Sequence, residues 1–381
     1  MSLNMIGAYG PWAASLVGDE PADLSYRRGA WPDVDRWRDA ARGKFSELVA
    51  QPDRGPTPEA TIEREYEYDG LKVEELTWSL PYGPPTKAYF LKPANAVGPL
   101  PGIVGLHDHG GRKYFGRRKI TRVSDDPHPM MLEHQDDYYG GVPWANEMAK
   151  RGYGVLVHDT FTFASRRVLL ADVSERMRQG LDDLAPEDPA NIEAYNSWAG
   201  GHEDIMSKSL FCAGTTWPGV FLADDRAALD VLSARDDIDA DRIGCGGLSG
   251  GGLRTVFLGG ADDRIKAAVC VGMMSTWRDY LLNKAYTHTW MCYVPLLPRY
   301  LDYPEILGMR MPLPTLVQND IEDQLFTMPE MERADRMLRE AYDMAGAGDR
   351  YRGTFYPGPH KFDPEMQDEA FTWFDTWLKD A

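Results

Sequence analysis

Basic charge is in short supply in this chain: 41 lysines and arginines face 59 aspartates and glutamates, a formal net charge of −18. No basic run stands apart from acidic neighbours, so nucleic acid and anionic membrane surfaces are poor partners, and a small or neutral substrate is expected. Also missing is any run of about 18 apolar residues that could cross a bilayer. The start, "MSLNMIGAYGPWAASLVGDEPADL", lacks the basic-then-apolar order of a secretory leader, so the cytoplasm is the expected compartment. The four cysteines, 212, 245, 270 and 292, have no CxxC spacing and read as buried or free thiols rather than a disulfide frame. Internal repeats and low-complexity linkers are absent as well.

What is present is a globular α/β grammar. With 43% hydrophobic residues in 381, the chain can bury a sizeable core. Residues 1–60 read as an N-terminal extension with one amphipathic helix, in which Val34, Trp37, Ala41, Phe45 and Leu48 recur at helical spacing behind Pro32. Residues 61–381 read as one α/β domain. It opens with period-two alternation around Asp69-Gly70, a hairpin signal, and a third strand, "TKAYFLKP". From Leu100 onward, short apolar runs such as "LPGIVGLHDHGG" and "GYGVLVHDTF" end in polar clusters and alternate with helical segments. That is the pattern of parallel strands whose carboxyl ends carry chemistry. Residues 163–217 fit no strand of this rhythm and read as a helical cap insertion; 280–311 reads as an aromatic wall of the same cavity.

One turn poses the central question. "DRIGCGGLSGGGLRT" could cradle a dinucleotide phosphate or lift a nucleophile out of the sheet. As a dinucleotide turn it fails twice: Ser249 stands where the third glycine belongs after Gly244 and Gly246, and the next strand, "AAVCVGMMST", ends without a carboxylate. No cofactor is therefore expected. Gly247-Leu248-Ser249-Gly250-Gly251, in contrast, is G-x-S-x-G directly after a strand.

A serine hydroxyl is inert until a base takes its proton. Of the histidines beyond Ser249, His360 lies in a Pro/Gly loop before the last helix, where a base should be, and His288 falls in the unpatterned region and reads as a pocket residue. The acid belongs after "PTLVQN", where Asp320, Glu322 and Asp323 crowd together; Asp323 is favoured and Asp320 is the alternative. Gly250 follows the serine and supplies one oxyanion donor by position, and Gly110 or Gly111, in the loop after "PGIVG", supplies the other.

With these parts assembled, the chain resembles the α/β-hydrolase superfamily, in its acetyl xylan esterase and dienelactone hydrolase-like branch. The signatures are "LHDHGG", "DRIGCGGLSGGG", "YVPLLPRYLDYPEILGMRMPLPTLVQNDIEDQLF" and "GPHKFDPEMQDEAFTWFDTWL", which together span most of the chain. The resemblance implies an eight-stranded, mostly parallel sheet and carries the triad roles onto Ser249, Asp323 and His360. It also implies hydrolysis of a carboxylic ester or related acyl bond. Dienelactone hydrolases proper use a cysteine nucleophile in a smaller domain, so the substrate does not transfer with the fold.

Two other readings stand beside this one. His107-x-His109 at a strand end, with His158-Asp159 ending the next, has the spacing of a divalent-metal hydrolase. A hydrolase fold can also persist as a non-catalytic binding module. For the hydrolase itself, Arg166, Trp198, His288 and Trp290 are the candidate substrate contacts. Arg166 would meet a carboxylate and the aromatics a sugar or aryl group. The expected partner is a small-molecule ester, with self-association of the chain open.

Overall fold

In the computed structural model, residues 3–183 and 185–379 are described, so the outermost ends of the 1–60 and 61–381 segments, and Leu184 within 163–217, lie outside them. Nine strands form one sheet: β1 (Thr61–Tyr68), β2 (Leu71–Trp78), β3 (Thr86–Pro93), β4 (Leu100–Gly105), β5 (Gly154–His158), β6 (Ile238–Leu248), β7 (Ile265–Val271), β8 (Thr315–Asp320) and β9 (Tyr351–Tyr356). Their spatial order is β1-β2-β3-β5-β4-β6-β7-β8-β9. The first three strands join antiparallel, β3 meets β5 antiparallel, and every later pairing is parallel. The sheet therefore has nine strands where eight were expected. The exposed β1, paired only with β2 through the Asp69-Gly70 turn, extends the antiparallel edge. Both turn residues have positive φ, 50° and 75°, as a two-residue hairpin demands.

Period-two alternation splits the parallel strands between two cores. Val104, Cys245, Ala268, Cys270 and Val317 face one apolar cluster, and Ile103, Val155, Val157, Ala267, Val269 and Leu316 face the other. The second cluster is closed by the helix Pro364–Leu378 through Phe371, Phe374 and Leu378. The N-terminal helix, Val34–Val49, buries Trp37, Ala41, Phe45 and Val49 in the first cluster. Each such large apolar side chain contributes about 1.5–3 kcal/mol through burial, so this helix is part of the domain's core rather than an appendage. Val34 and Leu48 pack against the same cluster from partly buried positions, Val49 extends the buried face beyond them, and Asp33, not Pro32, begins the helix by accepting the Arg36 amide.

Residues 163–217 fold largely as the long helix Pro189–Cys212, capped by Asp188. Ile192, Tyr195, Trp198 and Ala199 on this helix pack on Tyr114, Phe115, Met130 and Met131 in a third, smaller cluster. Among the described residues the cysteines are free thiols, with Cys212 exposed and the other three buried. No helix of the described residues is long and apolar enough to cross a membrane.

Candidate active site

The carboxyl ends of β4, β6, β7 and β8 converge on a cleft of about 510 Å³, well within the size of ligand sites. Ser249 sits at the tip of β6, at φ 56° and ψ −116°, a backbone conformation costly for a non-glycine residue. The flanking glycines make that turn possible. A Cβ on Gly247 would lie 2.1 Å from the Leu106 carbonyl oxygen, and one on Gly251 would lie 2.0 Å from the same atom. No larger residue fits between the elbow and the end of β4, so the G-x-S-x-G spacing here is a packing requirement. Gly250 opens the helix Gly250–Ala261, so its N–H has no intrahelical acceptor and is available at the positive end of the helix dipole.

His360 reaches the same cleft from the loop after β9. Its Nδ1 lies 2.7 Å from Asp323 Oδ2, and the other Asp323 oxygen accepts the Leu325 amide at 2.8 Å. His360 Nε2 is buried and has no hydrogen-bond partner among the described residues. Both His360 and Ser249 line the cleft. Burial works against the imidazolium, but the hydrogen bond and negative charge of Asp323 outweigh it, and the His360 pKa is raised above its ordinary value. A further glycine makes room for the base. Gly272, just after β7 at φ 57°, approaches His360 so closely that a Cβ would lie 2.9 Å from Cε1. Nothing in the sequence singled this position out, because the residue acts by absence of bulk across three strands.

The acid alternatives separate cleanly in space. Asp320 is also buried, but its Oδ2 accepts the Lys361 amide at 3.0 Å and its Oδ1 has no partner. Burial raises its pKa to about 7. Asp320, Asp323 and His360 offer ligand atoms within 4.8 Å of one another, the only such trio among the described residues. It does not include His107, His109 or His158, so the proposed metal spacing gathers no metal-sized cluster. His107 Nδ1 faces the Asp108 carbonyl at 3.0 Å, and His158 Nε2 pairs with Asp225 at 2.9 Å beside Arg254.

The loop after β4 is held by buried charge. His109 Nδ1 accepts the Gly111 amide at 3.0 Å, which leaves Nε2 to donate to Glu203 Oε1 at 2.9 Å. Glu203, on the long insertion helix, also pairs with Lys113 at 2.7 Å. Burial would raise the Glu203 pKa, but Lys113 and His109 hold it down at about 2. Asp108 Oδ1 accepts from Tyr139 at 2.5 Å and faces His134 Nε2 at 3.1 Å. The Gly111 amide is thus already engaged, which corrects its candidacy as an oxyanion donor. The His109 and Gly110 amides have no acceptor among the described residues. His109 lies closest to the elbow: a Cβ on Gly250 would be 2.7 Å from His109 N.

Of the four candidate substrate contacts, the structure brings His288 to the cleft and leaves Arg166, Trp198 and Trp290 off its lining. His288 Nε2 donates to the Leu325 carbonyl at 2.9 Å, and burial lowers its pKa to about 4, so it is a neutral wall residue. Arg166 is buried and committed to Asp224 at 3.1 Å and to the Tyr82 and Pro84 carbonyls. Trp198 donates to the Met177 carbonyl at 2.7 Å and stacks on His202, away from Ser249. Trp290 packs against Phe211 and Tyr293 behind the wall. Among the described residues of 163–217 none lines the cleft; its wall includes residues from 287–292, with Met291 and Cys292 among them. The insertion reaches the site only indirectly, through Glu203.

Comparison with known proteins agrees with this architecture. Residues 214–300, which include the elbow, match the Prolyl oligopeptidase family. A Bacillus subtilis protein named "Putative hydrolase YtaP" is 27% identical over 337 residues, 88% of this chain and 97% of its own length. Among solved structures, a "putative acetyl xylan esterase" from Bacteroides fragilis superposes with a TM-score of 0.67 at 20% identity, covering 92% of this chain and 82% of that one. A glucuronoyl esterase from Solibacter usitatus superposes with a TM-score of 0.62 at 14% identity, covering 94% and 97%. The nine-stranded sheet, the strained serine turn at its centre and these structural likenesses show that the chain has the α/β-hydrolase fold.

Proposed function

We propose that the chain is a serine hydrolase that cleaves a carboxylic ester of a small carbohydrate or aromatic substrate through an acyl-enzyme. The observation that carries this reading is the 2.7 Å contact between His360 Nδ1 and Asp323, with His360 Nε2 unpartnered in the cleft that Ser249 lines. Asp323 holds the proton on Nδ1, so Nε2 is free to accept one from Ser249 Oγ as that oxygen attacks the ester carbon. The oxyanion then gathers the Gly250 amide and an amide from the β4 loop. As the tetrahedral centre collapses, the imidazolium returns the proton to the leaving alcohol, and water repeats the sequence on the acyl-enzyme.

Esterase neighbours support the choice of bond, and the mixed lining supports the choice of substrate. Leu253, Met273, Met291 and Cys292 form an apolar side for an acyl group, while Asp137, Tyr138 and Gln324 offer polar contacts to the alcohol. Wild-type protein should be labelled by a fluorophosphonate and should hydrolyse 4-nitrophenyl acetate, with Ser249→Ala abolishing both. Labelling that persists in Ser249→Ala would refute the nucleophile, and a wild type inert to both probes would favour a non-catalytic module.

A further inference from the structure

We infer that Lys119 is the positioning residue of the oxyanion site: it aims two backbone amides of the β4 loop into the cleft by gripping their carbonyl partners from behind. The inference rests on the serine-hydrolase reading above. Lys119 is fully buried, on the short 3-10 turn Arg117–Lys119, and the mechanism as described makes no use of it. Its ammonium donates to the Asp108 carbonyl at 2.9 Å and to the His109 carbonyl at 2.7 Å. The 108–109 and 109–110 peptides are trans; the cis bonds lie at 161–162 and 311–312. In a trans peptide the C=O and the following N–H point in opposite directions. Fixing the carbonyls of 108 and 109 on Lys119 therefore turns the His109 and Gly110 N–H groups away from it, and neither amide has an acceptor among the described residues.

The direction away from Lys119 is the direction of the elbow. His109 N is the atom nearest to where a Gly250 Cβ would sit, and His109, Gly110, Ser249 and Gly250 line the same cleft. A cation on the carbonyl ends also polarises both peptides, which strengthens their N–H groups as donors toward a developing negative charge. The groups around the ammonium are consistent with a fixed rather than a mobile charge. Asp108 Oδ2 stands 3.7 Å away, and the Phe163 ring centroid lies 4.8 Å from Nζ. Burying a lysine is costly, and burial lowers its pKa to about 8. The loop is pinned a second time from the side by the His109–Glu203–Lys113 chain, which fixes the imidazole but touches neither carbonyl.

The test compares Lys119→Met and Lys119→Gln with wild type, using 4-nitrophenyl acetate for turnover and phenylboronic acid as a tetrahedral mimic. Loss of one oxyanion donor costs roughly 10²–10³-fold in kcat, so loosening two without removing them should cost roughly 10–100-fold. Lys119→Met should lower kcat by that factor with KM within about twofold, and weaken boronate inhibition in proportion. Lys119→Gln, which retains a neutral donor for the carbonyls, should recover part of both losses and remains decisive if the methionine variant does not fold. A folded variant with unchanged kcat and boronate affinity would overturn the inference, as would a change confined to KM or thermal stability. Fluorophosphonate labelling of Ser249 separates the two claims, because its absence in wild type refutes the hydrolase reading rather than the role of Lys119.

Discussion

Replacing Asp323 with asparagine changes one atom and should nearly silence the enzyme. In the wild type, Leu325 N–H donates to Oδ1 and His360 Nδ1–H donates to Oδ2. Asparagine has only one carbonyl oxygen, and the Leu325 amide requires it, so the NH2 group is turned toward Nδ1. The imidazole must then carry its proton on Nε2, where it can no longer take one from Ser249. The corresponding change in a serine protease costs roughly 10⁴-fold in kcat, which at 1.36 kcal/mol per tenfold is about 5.4 kcal/mol of barrier. Asp320→Asn is the matched control. The Asp320 carboxyl is pushed up to about 7 by burial, so near neutral pH much of it is already uncharged, and an amide oxygen can still accept the Lys361 amide. That variant should turn over within a few-fold of wild type. Steady-state kinetics on 4-nitrophenyl acetate for the two variants, with melting temperatures to confirm folding, decides the matter. If Asp320→Asn lost as much as Asp323→Asn, the acid would be misassigned and the tautomer argument would fall with it.

Because His360 must be neutral to act as base and its pKa is raised, kcat/KM should rise with pH to a midpoint above the ordinary histidine value of about 6.5; a pH–rate profile with a lower midpoint would contradict the Asp323 pairing. The same raised value contributes stability that is present below about 6.5 and lost as pH climbs through the folded-state value. Asp320 has the opposite chemistry with the same sense of shift: between the ordinary aspartate value of 3.8 and about 7 the folded state keeps a proton that the unfolded chain releases, so its contribution turns against folding as pH rises. Asp320→Asn should therefore melt above wild type at pH 8, with the gap closing at pH 5. Arg166→Ala should cost about 3–5 kcal/mol of unfolding free energy by stranding Asp224, without altering KM in the fraction that folds. Met291→Ala should change the preference among acyl chain lengths and Trp198→Ala should not, since only the former lines the cleft; the reverse result would restore the insertion as the selecting element.

Sequence pattern was most informative where one physical rule acts locally. The β1–β2 hairpin followed from two residues that tolerate positive φ, and the parallel half from apolar runs ended by polar clusters. The elbow was readable because Gly247 and Gly251 are demanded by close approach to Leu106 and Gly250 by close approach to His109, all within five residues that include Ser249. The count of eight strands came with the resemblance and not from the pattern, which already marks β1 and β2 as a hairpin and β3 as a third strand; the sheet has nine. For 163–217 the sequence pattern did not show which surface the segment covers, and among its described residues none lines the cleft. The segment's apolar residues are Tyr195, Trp198 and their neighbours, and they pack on Tyr114 and Met130, not over Ser249.

The same distinction explains which site residues stayed hidden. A candidate triad can be proposed from the chain because such residues obey a fixed order, but an electrostatic scaffold obeys none. Lys119, His134 and Glu203 converge on Asp108 and His109 of the β4 loop from a 3-10 turn, a following helix and a separate insertion, Lys113 of the same loop pairs with Glu203, and each looks like ordinary surface charge when read in sequence. Burial converts those charges from solvated decoration into constraints, since a buried ion that loses its partner costs several kcal/mol and so cannot wander. Arg166 shows the converse error, for its charge was read as bait for a substrate carboxylate when Asp224 already satisfies it inside the core. An ionisable residue near a strand end is therefore best judged by what remains unpaired after folding. By that criterion, and among the described residues, the unpartnered His360 Nε2 and the His109 and Gly110 amides matter because they line one cleft with Ser249, whereas unpartnered atoms such as Trp144 Nε1 lie outside it.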